Sequence, residues 1–224
     1  MIEQQLNKAP RHIVILAHPD PASFNGAIAE LYCRTVRGLG HEAMLRDLYG
    51  TGFDPVLKNH ERPGKAGFSI SEDVRQEIEI ISDADVYVLI YPIWFGMPPA
   101  MLKGYIDRVV GSGVTPAEIQ HREAQGVFRG KRLLSIITSG ACEIWLDEQG
   151  QIDALKDVMS RYLCHAFDIK YADHLQFGGV VEGFSANFIA QNLLDVENRA
   201  THICNLIEED RSRAKANRDA GDMT

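Results

Sequence analysis

The chain has 224 residues, 45% hydrophobic and 24% charged, a balance that suits a folded domain with its own core and excludes a disordered chain. A formal net charge of −8 argues against a nucleic-acid partner, because phosphate binding draws its affinity from clustered Lys and Arg. Cys33, Cys142, Cys164 and Cys204 show no CxxC and no metal-ligand spacing, so the expectation is no metal and buried, reduced thiols in a cytoplasmic protein. Neither a basic leader with an apolar run nor a stretch of about 18 apolar residues is present, so no signal peptide and no integral membrane segment are expected.

Residues 13–17 (IVILA) form a continuous apolar run, the pattern of a strand buried on both faces of a parallel sheet. Ser23 to Leu39 then shows helical spacing, with Phe24, Ile28, Leu31 and Val36 on one side and Gly38 and Gly40 near its end. His41 to Asp47 reads as a weaker strand, Tyr49 to Ser71 as a surface excursion, and Asp73 to Ser82 as a helix carrying Val74, Ile78 and Ile81. Val86 to Tyr91 is a strong buried strand, and Pro98 to Val110 a helix with proline in its first turn. Lys131 to Ile137 is a fourth strand, Asp153 to Ala166 a helix, Ile169 to Phe177 a fifth strand, and Ser185 to Glu208 a final helix. The alternation predicts one α/β domain over residues 1–208, a three-layer sandwich on a five-stranded parallel sheet of order 2-1-3-4-5. The charged segment 209–224 is expected to be a flexible tail.

In such a sheet, ligands bind beyond the carboxyl ends of the strands, where strand order reverses. Three segments follow those ends. After the first strand, His18 precedes Ser23, Phe24 and Asn25 at the head of a helix, where free N–H groups and the helix dipole suit an anion. Ser23 can equally serve as a plain N-cap. After the third strand come Pro92, Ile93, Trp94, Phe95 and Gly96, in which the two aromatic rings suit either the wall of a flat pocket or satellite core. After the fourth, Thr138, Ser139 and Gly140 are small residues that leave backbone N–H groups accessible. GxGxxG and GxxxxGK[ST] are both absent, which argues against a dinucleotide fingerprint or a P-loop. Tyr91-Pro92 stands where a response regulator needs its phosphoacceptor aspartate. No Cys is followed six residues later by Arg, as a low-molecular-weight phosphatase requires.

The segments Leu16-Ala17-His18, Ser23-Phe24-Asn25 and Arg46-Asp47-Leu48-Tyr49, and above all the block from Tyr91 to Val109 (YPIWFGMPPAMLKGYIDRV), resemble the NAD(P)H:quinone oxidoreductase family. That family takes in DT-diaphorase, the drug-activity modulator B proteins and the ancillary flavin subunits of glutathione-gated potassium efflux. The likeness covers residues 12–141 and implies a flavodoxin-like fold. By it, His18, Ser23, Phe24 and Asn25 hold the phosphate and ribityl part of a flavin. Pro92, Ile93, Trp94 and Phe95, with Thr138, Ser139 and Gly140, line its ring. The resemblance implies FAD, with FMN as the alternative, NAD(P)H as co-substrate, a quinone or similar small acceptor, two-electron ping-pong transfer and a homodimer. DT-diaphorase carries a tyrosine and a histidine after its fourth loop; residues 142–149 here (CEIWLDEQ) contain neither, so no acid or base is assigned. Trp94 and Phe95 are taken as the catalytic pocket wall and Trp145 as a lid. Two further readings stay open: a regulatory flavoprotein subunit bound peripherally to a potassium-efflux transporter, and a one-electron flavodoxin-type carrier.

Overall fold

The computed structural model describes residues 8–221, and its central element is a five-stranded, all-parallel sheet of order β2-β1-β3-β4-β5. The strands are β1 (Arg11–Leu16), β2 (Glu42–Asp47), β3 (Val86–Pro92), β4 (Arg132–Thr138) and β5 (Tyr171–Phe177). Continuous apolar runs in β1, β3 and β4 reflect burial on both faces. Ile13, Ile15, Leu89 and Leu133 enter one core, while Val14, Leu16, Val88 and Leu134 enter the other. On the second side the sheet is covered by α1 (Phe24–Gly38) and the C-terminal helix α7 (Ala186–Gly221), through Ile28, Tyr32, Val196 and Ile203. On the first side lie α2 (Glu72–Ile81) and α3, which runs from Ala100–Tyr105 into a π-helical stretch at Ile106–Val110. Short α4 (Pro116–His121) follows α3. The same side carries α6, built from Gln151–Lys156, a π-helical stretch at Asp157–Tyr162 and Leu163–Phe167; short α5 (Glu143–Glu148) precedes it.

Several boundaries differ from expectation for identifiable reasons. The helix expected from Pro98 begins at Ala100, because Met97 and Pro98 each precede a proline and are biased away from helical backbone. Helix α4 is an element beyond those expected, opened by a capping box of Thr115 and Glu118 with Pro116 at the first helical position. Helix α5 is another, and α6 starts at Gln151 rather than Asp153. The final helix does not end at Glu208 but continues to Gly221, so the part of the expected tail within the described residues is helical. Asp210 anchors it, pairing with Arg132 and, at 2.7 Å, with Lys170. The remainder, 222–224, lies outside the described residues. Among the cysteines, Cys33 and Cys204 are buried as expected, but Cys164 is only partly buried and Cys142, just ahead of α5, is exposed. The 49–71 excursion is irregular apart from one turn at Asn59–Glu61, and Arg108 of α3 fastens that turn by pairing with Glu61 at 2.6 Å.

Candidate active site

The ends of β1, β3 and β4 are held in common register, Leu16 beside Ile90 and Pro92 beside Thr138, so the loops that follow them open on one side of the sheet. Between those loops lies a cleft of about 800 Å³. His18, Ser23, Phe24, Asn25, Pro92, Ile93, Trp94, Phe95, Thr138, Ser139 and Gly140 all line it, as does Trp145.

The first loop is shaped by α1. Ser23 has extended backbone, and its Oγ accepts from the Gly26 N–H at 3.2 Å, so Ser23 is an N-cap as well as a cleft residue. Among the described residues, the N–H groups of Phe24 and Asn25 are then the uncapped donors at the head of the helix. Gly26 is required here for space, since a Cβ at this position would stand 2.3 Å from the Pro21 carbonyl oxygen. His18 Nδ1 lies 3.0 Å from both the N–H and the carbonyl oxygen of Asp20, which holds the ring against its own loop.

Beneath the cleft, Asn25 Nδ2 donates to Thr138 Oγ1 at 2.9 Å, and the Thr138 hydroxyl lies 3.2 Å from Asn25 Oδ1. Both residues are buried, so this pair ties the start of α1 to the end of β4 and satisfies polar groups that burial otherwise penalises. Ile93 N–H donates to the Thr138 carbonyl at 2.7 Å, joining the second loop to the third.

That second loop ends in a reversal. Trp94 and Met97 exchange backbone hydrogen bonds at 3.0 and 3.1 Å, and Phe95 and Gly96 between them have φ of 51° and 79°, the geometry of a two-residue primed turn. Glycine suits this backbone; phenylalanine is strained in it, at a cost of about 1–2 kcal/mol. The outcome is that Phe95 projects fully into solvent (106% exposed) and Trp94 is 42% exposed, so neither ring belongs to the core. Gln151 Nε2 donates to the Gly96 carbonyl at 2.6 Å, linking this turn to α6.

Sequence reasoning missed the far wall. Val180, Val181, Glu182 and Phe184, between β5 and α7, complete the cleft together with Gly96, Ala141, Leu146 and Gln151. The β5–α7 segment is drawn in by Val180 N–H donating to the Ser139 carbonyl and Gly179 N–H to the Ala141 carbonyl, each at 2.9 Å. Phe184 also stacks edge-on against Phe24, with ring centroids 5.7 Å apart. The one available signal was position, since this segment follows the last strand on the same side as the other three loops. Among the lining residues, the ionisable side chains are His18 and Glu182; the rest is apolar surface, hydroxyls, amides and backbone.

A parallel sheet of this order with a cleft at its strand-order reversal defines a doubly wound α/β protein, and the switch point is where such sheets take ligands. Residues 10–200 match the family model described as flavodoxin-like fold, and the chain belongs to that family. It is similar to an uncharacterized NAD(P)H oxidoreductase of Haemophilus influenzae, 36% identical over 131 residues that cover 58% of this chain and 64% of the relative. It is also similar to NAD(P)H dehydrogenase [quinone] 1 of Cavia porcellus, 29% identical over 59% of this chain and 54% of that one. These alignments span less than two thirds of either relative's length. A solved NAD(P)H:quinone oxidoreductase from Methanothermobacter marburgensis shares the fold, with a TM-score of 0.75 at 24% identity over 87% of this chain and 96% of that one. No described helix is long and apolar enough to cross a membrane.

Proposed function

We propose that this chain is a flavin-dependent NAD(P)H oxidoreductase that reduces quinones or similar small acceptors by two-electron transfer, with FAD as its cofactor and FMN as the alternative. The observation that carries the reading is the convergence of the three strand-end loops on one cleft, with a helix head at one end and exposed aromatic rings at the other.

The residues present fit a flavin. The cleft volume lies within the range of small-molecule sites, roughly 300–1,000 Å³. The N–H groups of Phe24 and Asn25, with the dipole of α1 behind them, offer an anion seat for a phosphate, and His18 stands beside them. Ile93 and Trp94 supply apolar surface for a flat ring, while the Ser139 hydroxyl and the Gly140 N–H, with Thr138 beneath them, supply donors for its polar edge. A bound flavin accepts and donates hydride, so the protein's work is placement and electrostatics. Phe95 and Trp145 stand at the mouth, where they can cover a planar nicotinamide or quinone and exclude water. With no tyrosine and histidine pair in residues 142–149, the Gly140 N–H, flanked by the N–H groups of Ser139 and Ala141 that are already bonded within the protein, takes the role of stabilising negative charge on the reduced cofactor.

Exposed Phe95, Trp145 and Val181 around the opening support a homodimer in which a second copy covers this face. Free cysteines throughout support a cytoplasmic location. Steady-state kinetics tests the reading. One shared seat for nicotinamide and acceptor predicts parallel double-reciprocal lines as NADPH and a benzoquinone are varied. Converging lines remove the shared seat, and no turnover with either nicotinamide favours a carrier or a transporter-bound regulatory subunit.

A further inference from the structure

At the opposite end of the sheet from the cleft, three residues that no local motif connects meet in the second core. They are His12 at the start of β1, His41 just before β2 and Cys204 on α7, all buried. Their donor atoms all lie within 4.8 Å of one another. The two rings face each other edge to edge, His12 Nε2 and His41 Nδ1 being 3.1 Å apart. Two nitrogens at that separation can each sit about 2 Å from a single shared ion.

The outer ring nitrogens are also provided for. His12 Nδ1 lies 2.9 Å from the Tyr32 hydroxyl, and His41 Nε2 lies 3.2 Å from a carboxylate oxygen of Glu208. Hydrogen bonds from the outer nitrogens fix a metal-binding imidazole in the tautomer whose inner lone pair is free, and a carboxylate in that role raises its basicity. With both outer N–H groups donating outward, the two inner lone pairs are left facing each other 3.1 Å apart, and an ion lying off the line between them can take both. Without a metal, one ring proton fills that gap.

We infer that His12, His41 and Cys204 form a three-coordinate site for a soft metal ion, monovalent copper. Zinc closes its structural sites with four protein ligands, and the described residues bring three together here. Thiolate and imidazole are donors that soft copper accepts. Charge points the same way. On binding, the Cys204 thiol releases one proton, so a copper(I) thiolate carries no net charge into a core that penalises unpaired charge. The His12 proton moves from Nε2 to Nδ1, where it is donated to the Tyr32 oxygen. No change of oxidation state is involved. Glu208 acts as a positioning residue through His41.

The full chain carrying Cys142→Ser, so that its exposed thiol takes no metal, is stripped with a chelator, reduced, and titrated anaerobically with copper(I) against bicinchoninate. The expected result is withdrawal of one equivalent of copper, with an X-ray absorption spectrum of one sulfur and two nitrogen neighbours. Cys204→Ala should weaken uptake at least about 100-fold and Glu208→Gln about tenfold, the usual effect of an outer partner. Cys33→Ala, in the same core but outside the cluster, should leave uptake unchanged. The inference is overturned if the parent leaves all the copper with bicinchoninate, if Cys204→Ala retains full uptake, or if the absorption spectrum shows no mixed sulfur and nitrogen shell. Because the spectrum is taken on the parent, it decides the matter even where a variant fails to fold.

Discussion

Glu61→Gln removes one charge from the ion cluster that fastens the 49–71 excursion to α3, the helix that follows the aromatic loop. The Glu61 and Arg108 side chains are 5% and 1% exposed, and Arg108 meets Glu61 at 2.6 and 2.9 Å. Arg108 also reaches Asp73 at 2.8 Å and the Asp54 carbonyl at 2.6 Å. Burial alone raises the Glu61 carboxyl, but hydrogen bonds from Arg108, the Lys58 N–H and Ser71 overcome it and hold the group at about 2, against an ordinary 4.5. A lowered carboxylate stabilises the fold above its unfolded value, and that contribution is lost as pH falls through the folded one; the displacement is worth about 3 kcal/mol near neutrality. Removing one member of a buried pair independently costs about 3–5 kcal/mol, and half-exposed Asp73 keeps this case at the lower end. Urea denaturation of parent and Glu61→Gln should therefore differ by about 3 kcal/mol near neutral pH and by roughly half that at about pH 3. A difference below about 1 kcal/mol at neutrality, or one that does not narrow in acid, refutes the assignment.

Phe95→Gly should leave urea stability within about 0.5 kcal/mol of the parent, because relief of the positive-φ strain offsets the added freedom of the unfolded chain. Acceptor turnover should nevertheless fall at least about fivefold in a quinone reduction assay. Thr138→Val strands the buried Asn25 amide and should cost about 1–3 kcal/mol by thermal or urea unfolding, with weaker flavin retention on ultrafiltration. Asp210→Asn should expose 209–221 to limited proteolysis earlier than in the parent, since Asp210 joins that part of α7 to Arg132 and Lys170.

What could be read from the sequence follows from what the physics makes local. Strands β1, β3 and β4 were legible because burial on both faces demands an unbroken apolar run, and α1 because Ser23 caps it within a single turn. Their order then located the switch point, and with it the three loops that line the cleft. The wall formed by Val180 to Phe184 was not legible, because it is drawn in by backbone hydrogen bonds to Ser139 and Ala141, which are distant in sequence. The same holds for His12, His41 and Cys204, which have no shared spacing and meet only once β1, β2 and α7 have packed. Helix α7 runs past the expected end at Glu208 because its outer turns are charged all round and owe their place to anchors such as Asp210 rather than to an apolar stripe.

The most direct test of the central claim is anaerobic absorbance of the chain loaded separately with FAD and with FMN, followed through addition of NADPH and then a benzoquinone. The account predicts that one flavin is retained, that its oxidised band bleaches with NADPH or NADH, and that the band returns in full with the quinone. Failure to retain either flavin, or a retained flavin that both nicotinamides leave oxidised, contradicts it.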